Sequence, residues 1–223
     1  MNGIVAGASG ISFEVFMSYA IWFISALCAY LIGGINPSIL LSKLIYHEDI
    51  RAYGSGNPGF TNFKRAYGMK FAWIVFLIDF LKALLPCWVF KGIFAQLGYD
   101  PQLGAVFTGL FVMIGHSFPV YYGFKGGKGF LSLLGVLFVT DWRAGIIAVA
   151  VLCILLFTVK YMSLSTMSAL VAGTVALFAF GANVIVGAIY GVCVIFMIWR
   201  HRENIKRLLK GTESKFSFGS KKQ

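Results

Sequence analysis

A polar, glycine-rich stretch at residues 48–68 has the composition of an anion-binding loop. It reads EDIRAYGSGNPGFTNFKRAYG, with an arginine near each end. Glycines let the backbone adopt positive φ and approach a ligand, successive N–H groups can form an anion-binding nest, and hydroxyl and guanidinium groups can complete a phosphate site. The same residue types are ordinary turn formers, so a solvated loop is the alternative. The candidate binding residues here are Ser55, Gly56, Asn57, Gly59, Thr61, Asn62 and Arg65.

A second glycine-rich basic stretch, GHSFPVYYGFKGGKG, occupies residues 115–129. It is not a Walker A loop, because Tyr122 stands five residues before Gly127 and no Ser or Thr follows Lys128. Taken alone, His116 would be an imidazole at a membrane boundary and Lys128 a charge that sets topology. Two basic glycine loops in one chain favour a second anion site instead. Its candidate residues are His116, Lys125, Gly126, Gly127, Lys128 and Gly129.

Two further segments add polar side chains near the basic loops. The first, KYMSLST at residues 160–166, contains a serine that could equally be a helix N-cap. The second, RHRENIKRLLKGTESKF at residues 200–216, could equally be a helix with solvated charges on the membrane surface. The candidate residues in these segments are Ser163, His201, Asn204, Arg207 and Glu213.

Several familiar catalytic and metal-binding patterns are missing from the sequence. There is no GxSxG elbow, HEXXH motif or HxxxxD motif, and the four cysteines are isolated in apolar runs. We therefore expect no metal, no cofactor and no disulfide framework. Asp79 and Lys82, three residues apart on one helical face, suggest an ion pair inside an apolar segment, which is a functional hypothesis by default. The alternative is a pair that only holds helices together.

The composition indicates that the segments between these loops lie in a membrane. Of the 223 residues, 59% are hydrophobic and 12% charged, and the mean hydropathy is +0.82. A water-soluble domain would need charged outer helix faces, which long stretches of this chain lack. Asp141 and Arg143 would be costly inside one long span, so the segment that contains them is predicted to split there, and a later one to split near residues 181–183. The predicted apolar segments are 18–44 with a kink at Asn36–Pro37, 70–90, 102–119, 130–140, 144–159 and 167–199.

This division predicts an all-α membrane protein with seven transmembrane helices, several of them short, in one domain over residues 1–223. Sixteen of the nineteen lysines and arginines then fall in loops and a tail, about residues 200–223, on one face. The positive-inside rule makes that face cytoplasmic, with the N-terminus outside. A five-helix count gives the same orientation of the ends but moves Lys160 and Ser163 to the outer face.

The motifs GSGNPGFTN with Arg65, GHSFP followed by FKGGKG, and RHRENIKRLLKGTE resemble those of the acyl-phosphate:glycerol-3-phosphate acyltransferases, the PlsY family. They occur in order, and the likeness extends over nearly the whole chain. It implies a multi-pass bacterial plasma-membrane enzyme of phospholipid biosynthesis with a cytoplasmic active site. The implied substrates are acyl phosphate and glycerol 3-phosphate, and neither metal, nucleotide nor nucleic acid is implied as a partner.

The resemblance also implies roles for individual residues. Ser55, Gly56, Thr61 and Asn62 would hold the donor phosphate, with Lys128 and its glycines closing over it. Glycerol 3-phosphate would be held by a second set, and the proton acceptor could be either His116 or His201, or a substrate phosphate. That second set is Arg65, His116, Lys128, Ser163, His201 and Asn204.

Two other classes of function remain as alternatives. An anion or phosphate transporter would also carry arginines and glycines, but along a path through the bilayer rather than at one interface. A scaffold protein would leave two phosphate-binding loops unexplained. The expected acyl transfer needs no covalent acyl-enzyme, because an acyl phosphate already has a good leaving group.

Overall fold

The computed structural model describes residues 13–217, and every regular element in that range is helical. Short 3-10 turns at Ile50–Ala52 and Val120–Tyr122 lie within the two glycine-rich loops. The predicted outer N-terminus and the last tail residues, Lys221 and Lys222 among them, lie outside the described range. The helices are α1 (Phe13–Gly34), α2 (Pro37–Tyr46), α3 (Phe60–Tyr67), α4 (Met69–Gln96), α5 (Pro101–Ser117), α6 (Phe130–Thr140), α7 (Trp142–Thr158), α8 (Met162–Ala179), α9 (Val184–Arg200) and α10 (Arg202–Leu209).

The predicted breaks in the apolar segments are confirmed, and each is made by a capping side chain. Asn36 accepts a hydrogen bond from the Ile39 amide at 3.0 Å, which starts α2 with Pro37 in its first turn. Asp141 caps α7 through the Arg143 amide at 2.9 Å. Asn183 caps α9 in the same way. Short polar side chains satisfy the unpaired amides of a new helix, so these positions end one helix and begin another.

Apolar length varies among the helices. In the described part of the chain, four helical stretches are long and apolar enough to cross a membrane: Val15–Tyr46, Met69–Gln96, Pro101–Tyr122 and Met162–Ala179. The bent pair α9 and α10 could provide a fifth, while α6 and α7 are shorter apolar helices. Large apolar side chains such as Trp88, Ile154 and Val184 are exposed on the outside of the bundle, as lipid-facing residues are. The seven-span topology stays a prediction.

Helix α5 lies at the centre of the bundle and contacts α1, α4, α6 and α9. Glycines allow the closest approaches. A side chain at Gly115 would collide with the Tyr30 carbonyl of α1, and one at Gly135 would lie 2.7 Å from the Phe80 carbonyl of α4. This packing fixes the ends of α5 and α6, and therefore the glycine–lysine loop between them.

Candidate functional site

One cavity of about 540 Å³ collects most of the residues singled out in the sequence. Both glycine-rich loops, the start of α8 and the segment from α10 to residue 216 contribute to its wall. It therefore brings together side chains from four separate stretches of sequence. The predicted residues that line it are Ser55, Asn57, Gly59, Thr61, Asn62, Arg65, His116, Lys128, Gly129, Ser163, His201, Asn204, Arg207 and Glu213.

The first loop is folded around the buried side chain of Asn62. The Asn62 carbonyl oxygen accepts a hydrogen bond from the Ser55 amide at 3.1 Å, and its amide nitrogen donates to the Tyr53 carbonyl at 2.9 Å. Gly54 and Gly56 have φ of +56° and +69°, a region that favours glycine. The loop is thus held in one shape, with Ser55 and Thr61 on the cavity wall.

In the second loop, two of the candidate glycines use their backbone amides within the protein. The amide of Gly126 donates to the Ser117 carbonyl at 3.1 Å, and that of Gly127 to the His116 carbonyl at 3.0 Å. These two N–H groups are already paired, so the expectation that they bind an anion is not supported. Their carbonyls instead accept hydrogen bonds from the Arg200 guanidinium at 3.0 and 3.1 Å.

Four predicted binding residues do not line the main cavity. Gly56, Lys125 and Gly126 line a second, more open cavity with Arg51 and Arg200, and Gly127 lies against the His116 ring. For Lys125, Gly126 and Gly127 the reason is the fold of the second loop, whose backbone turns back onto the end of α5. Arg51 secures it from the other side by donating to the Tyr122 carbonyl at 2.9 Å.

Glu213 connects the polar side chains of the last two segments. One of its carboxylate oxygens accepts hydrogen bonds from Ser163 at 2.8 Å and from the Asn204 amide at 2.7 Å, and the other pairs with Arg207 at 2.7 Å. The Asn204 carbonyl oxygen in turn accepts a hydrogen bond from Lys128. Glu213 was predicted to bind substrate. A carboxylate would repel a phosphate, so its contacts fit the orientation of these donors better than direct binding.

Two charges in this network have shifted pKa values. Burial, together with the nearby Arg207 guanidinium, lowers the pKa of Lys128 to about 8. Burial alone would raise the pKa of Glu213, but hydrogen bonds from Asn204, Ser163 and Arg207 outweigh it and lower that pKa. At pH 7 the network therefore contains a carboxylate and a lysine that is charged but easily deprotonated.

His116 lines the cavity and lies beside a buried ion pair. Lys82 is 2.8 Å from an Asp79 carboxylate oxygen and 2.9 Å from His116 Nδ1. The predicted Asp79–Lys82 pair is thus present, and the structure adds the histidine to it. The other cavity histidine, His201, has its Nδ1 2.9 Å from the Met197 carbonyl.

Residues 212–216, called the tail segment below, form part of the cavity wall on the side that is predicted to face the cytoplasm. Arg65 donates to the Ser214 hydroxyl at 2.8 Å, and the Phe216 amide donates to the Lys160 carbonyl at 2.6 Å. Ser214 and Phe216 line the cavity but were not singled out in the sequence. Their residue types are common in tails, so no sequence signal marked them.

An apolar arm extends the same cavity between helices. It is lined by aromatic and aliphatic side chains from α3, α4, α6 and α7. Sequence reasoning missed these residues, because apolar side chains on apolar helices look like ordinary lipid-facing or core positions. They are Phe60, Met69, Trp73, Phe76, Phe130, Leu131, Leu152 and Leu156.

Comparison with known proteins identifies the family. The family model described as glycerol-3-phosphate acyltransferase matches residues 23–211. The chain belongs to the glycerol-3-phosphate acyltransferase family. A family member from Finegoldia magna is 39% identical over 202 residues, which cover 89% of this chain and 98% of that protein. One from Aquifex aeolicus is 40% identical over 190 residues, covering 84% and 95%.

Solved structures of the family show the same fold. The glycerol 3-phosphate form of PlsY, an integral membrane glycerol 3-phosphate acyltransferase, superposes with a TM-score of 0.80 at 38% identity, covering 88% of this chain and 96% of that one. The lysophosphatidic acid form gives 0.77 at 37% identity, covering 88% and 95%. The predicted all-α membrane fold is therefore confirmed, and the chain is an integral membrane acyltransferase.

Proposed function

We propose that this chain transfers an acyl group from an acyl phosphate to the 1-hydroxyl of glycerol 3-phosphate. In the reaction the hydroxyl oxygen forms a bond to the acyl carbon, the bond between that carbon and the phosphate oxygen breaks, and inorganic phosphate leaves. The products are lysophosphatidate and phosphate. The reaction begins phospholipid synthesis.

The observation that carries this proposal is the two-part cavity. Its polar part contains the cationic groups of Arg65, Lys128 and Arg207, and its apolar arm is lined by residues such as Phe76 and Leu152. A phosphate with an attached hydrocarbon chain matches both parts at once. The matching family, together with the glycerol 3-phosphate form and the lysophosphatidic acid form of PlsY, supports the acceptor and product.

The identity of the acyl donor is inferred from the chemistry that the cavity can support. An acyl phosphate is a mixed anhydride with a good leaving group, so the protein needs to align two anionic substrates and stabilise an oxyanion rather than supply a strong acid. Lys128 donates to Asn204 and lines the same cavity as Ser55 and Thr61, so it can neutralise charge on both phosphates. Ser55 and Thr61 then face the donor phosphate, while Arg65, Ser163 and His201 face glycerol 3-phosphate.

The proposal includes a location and a topology. Residues 1–223 form one domain of seven spans in the bacterial plasma membrane, and the cavity opens towards the cytoplasm. The support is the distribution of basic residues, because the segments that contribute cations to the cavity are the same ones that the positive-inside rule assigns to the cytoplasmic face.

The direct test uses the purified full-length protein in detergent or liposomes with acyl phosphate and labelled glycerol 3-phosphate. We expect stoichiometric formation of lysophosphatidate and inorganic phosphate. Acyl-CoA and acyl-loaded carrier protein are the comparison donors, and equal rates with either would contradict the acyl-phosphate assignment. No labelled lipid with any donor would overturn the proposed function itself.

A further inference from the structure

The buried ammonium group of Lys82 lies close to three groups from three parts of the chain. Its Nζ lies 2.7 Å from the Ile35 carbonyl, 2.8 Å from an Asp79 carboxylate oxygen and 2.9 Å from His116 Nδ1. Lys82 is 6% exposed and Asp79 2% exposed. A lysine ammonium only donates, so Lys82 donates to the Ile35 carbonyl and to Nδ1, and its contact with Asp79 is an ion pair. The Asp79 carboxylate supplies the opposite charge.

This arrangement determines which nitrogen of His116 holds the proton. Because Lys82 only donates, Nδ1 must be the unprotonated nitrogen that accepts. The Asp79 carboxylate is 3.6 Å from Nδ1, too far to take a hydrogen bond from it. A neutral imidazole with a free Nδ1 has its hydrogen on Nε2. That edge of the ring faces Gly127, in the loop that ends at Lys128, and the ring lines the cavity.

The second histidine of the cavity is held in the opposite way. Nδ1 of His201 lies 2.9 Å from the Met197 carbonyl, which can only accept, so in the neutral ring Nε2 is the unprotonated nitrogen. The two rings therefore present different chemistry: a donor at His116 and an acceptor at His201.

We infer that Lys82, paired with Asp79, is a positioning residue that fixes His116 as an Nε2–H hydrogen-bond donor. The inference rests on the proposed function for the identity of the accepting atom, an oxygen of the acyl phosphate on which negative charge develops. His116 does not take the proton of the attacking hydroxyl. That proton goes to His201 Nε2 or to a phosphate oxygen, and His116 keeps its own hydrogen throughout the transfer.

The tautomer can be measured without any turnover. The sequence has only three histidines, so protein labelled with ¹⁵N-histidine gives three ring spin systems, and loss of one in His116→Gln assigns His116. We expect an unprotonated Nδ1 and a protonated Nε2 at pH 7. A hydrogen on Nδ1, or a charged imidazolium, would overturn the inference whether or not the enzyme transfers acyl groups.

Kinetics test the positioning role. In Lys82→Met we expect kcat to fall about tenfold or more with KM for glycerol 3-phosphate nearly unchanged, since losing a positioned hydrogen bond affects mainly the transition state. Lys91→Met is the matched control on the same helix, because Lys91 donates to the Val139 carbonyl away from the cavity. It should keep wild-type kcat. An active, folded Lys82→Met enzyme with wild-type kcat would contradict the role.

Substitutions of His116 itself distinguish a role as hydrogen-bond donor from a role as general base. Glutamine keeps a side-chain N–H near the position of Nε2, whereas alanine keeps none. We expect His116→Gln to retain at least about tenfold more kcat than His116→Ala, and equal losses in the two folded variants would favour a base instead. If wild-type protein makes no lysophosphatidate, the proposed function is wrong. The NMR measurement still tests the tautomer of His116 independently of that result.

Discussion

The carboxylate of Glu213 organises the cationic part of the cavity. It holds Ser163, Asn204 and Arg207 with both oxygens, and through Asn204 it reaches Lys128. Without this anion, Arg207 and Lys128 would repel each other across a partly buried space. The arrangement keeps donors in place for a substrate phosphate, and it includes the cation Lys128 through Asn204.

Removal of either of two cavity cations should abolish most activity. For Lys128→Ala and Arg65→Ala we expect kcat/KM to fall by about a hundredfold to a thousandfold, because each removes a charge-assisted contact to a phosphate. The measurement is acyl transfer by purified variants that insert and elute like the wild type. Lys43→Ala is the control, since Lys43 is exposed and does not line the main cavity. Normal turnover in either cavity variant would contradict the two-phosphate arrangement.

The lowered pKa of Lys128 predicts a pH dependence of substrate affinity. Below about pH 8 the free enzyme has the ammonium, and above it the ammonium is lost, so KM for glycerol 3-phosphate should rise as pH increases from 8 to 9.5. The substrate phosphate stays dianionic over this range, because its second pKa is about 6. Initial rates between pH 6.5 and 9.5 give the profile.

Arginine at the same position provides the control for that profile. Lys128→Arg keeps its charge at all these pH values, so its KM should stay flat up to pH 9.5 even if its turnover is lower. A rise in KM of the same size in the arginine variant would assign the pH effect to another group.

At this residue scale the sequence predicted the charged groups better than their connections. Lys128, Arg65 and Ser163 were found because basic residues, glycines and hydroxyls cluster in otherwise apolar sequence. The hydrogen bonds from the Gly126 and Gly127 amides to carbonyls of α5 could not be predicted, because they depend on how the loop folds back. The apolar arm gave no signal either, because no local pattern distinguishes a hydrocarbon-binding side chain from one that faces lipid.

At the scale of helices, close packing among α4, α5 and α6 positions the part of the cavity wall that Asp79 and His116 form. Ser132 of α6 donates to the Asp79 carbonyl of α4 at 3.1 Å, three residues before Gly135 makes its close approach to the same helix. The helix breaks were predictable because Asn36–Pro37, the charges of Asp141 and Arg143, and the stretch at 181–183 interrupt the apolar runs. The partners of each helix were not, since hydropathy indicates that a helix is apolar but not which neighbour it meets.

Gly135→Ala should destabilise the protein through this α4–α6 contact. An added Cβ would lie 2.7 Å from the Phe80 carbonyl and 3.2 Å from the Leu84 amide nitrogen, both backbone atoms that cannot move independently. Overpacking of this kind costs about 1–3 kcal/mol, so Tm in detergent should fall by several degrees.

Gly92→Ala, on α4, is the matched control. A Cβ there meets nothing within 4 Å, so alanine should leave Tm unchanged or raise it slightly, as expected for its higher helix propensity. Equal Tm values for the two variants would show that α4 and α6 are not in close contact in the bilayer protein.

At the scale of the whole molecule, the position of charge relative to the apolar bundle determines which side of the membrane the cavity faces. The cations of the cavity come from the two glycine-rich loops and from the end of the chain, and the turn at Lys160 lies beside the tail segment through its contact with Phe216. These stretches share one face of the bundle only if the chain crosses the membrane an even number of times between them. A seven-span path meets this condition, whereas a five-span path in which residues 130–159 cross the membrane once does not.

Accessibility of introduced cysteines should distinguish the two paths. In a variant without the four native cysteines, Lys160→Cys should react with an impermeant maleimide only when the cytoplasmic side is open, because Lys160 is exposed beside the cavity. Gln96→Cys, exposed at the opposite end of α4, should react only from the outside. Labelling of Lys160→Cys in intact cells would support five spans. It would also move the Lys160 turn away from the face that supplies Lys128 and Arg65, and so would contradict the contact between Lys160 and Phe216.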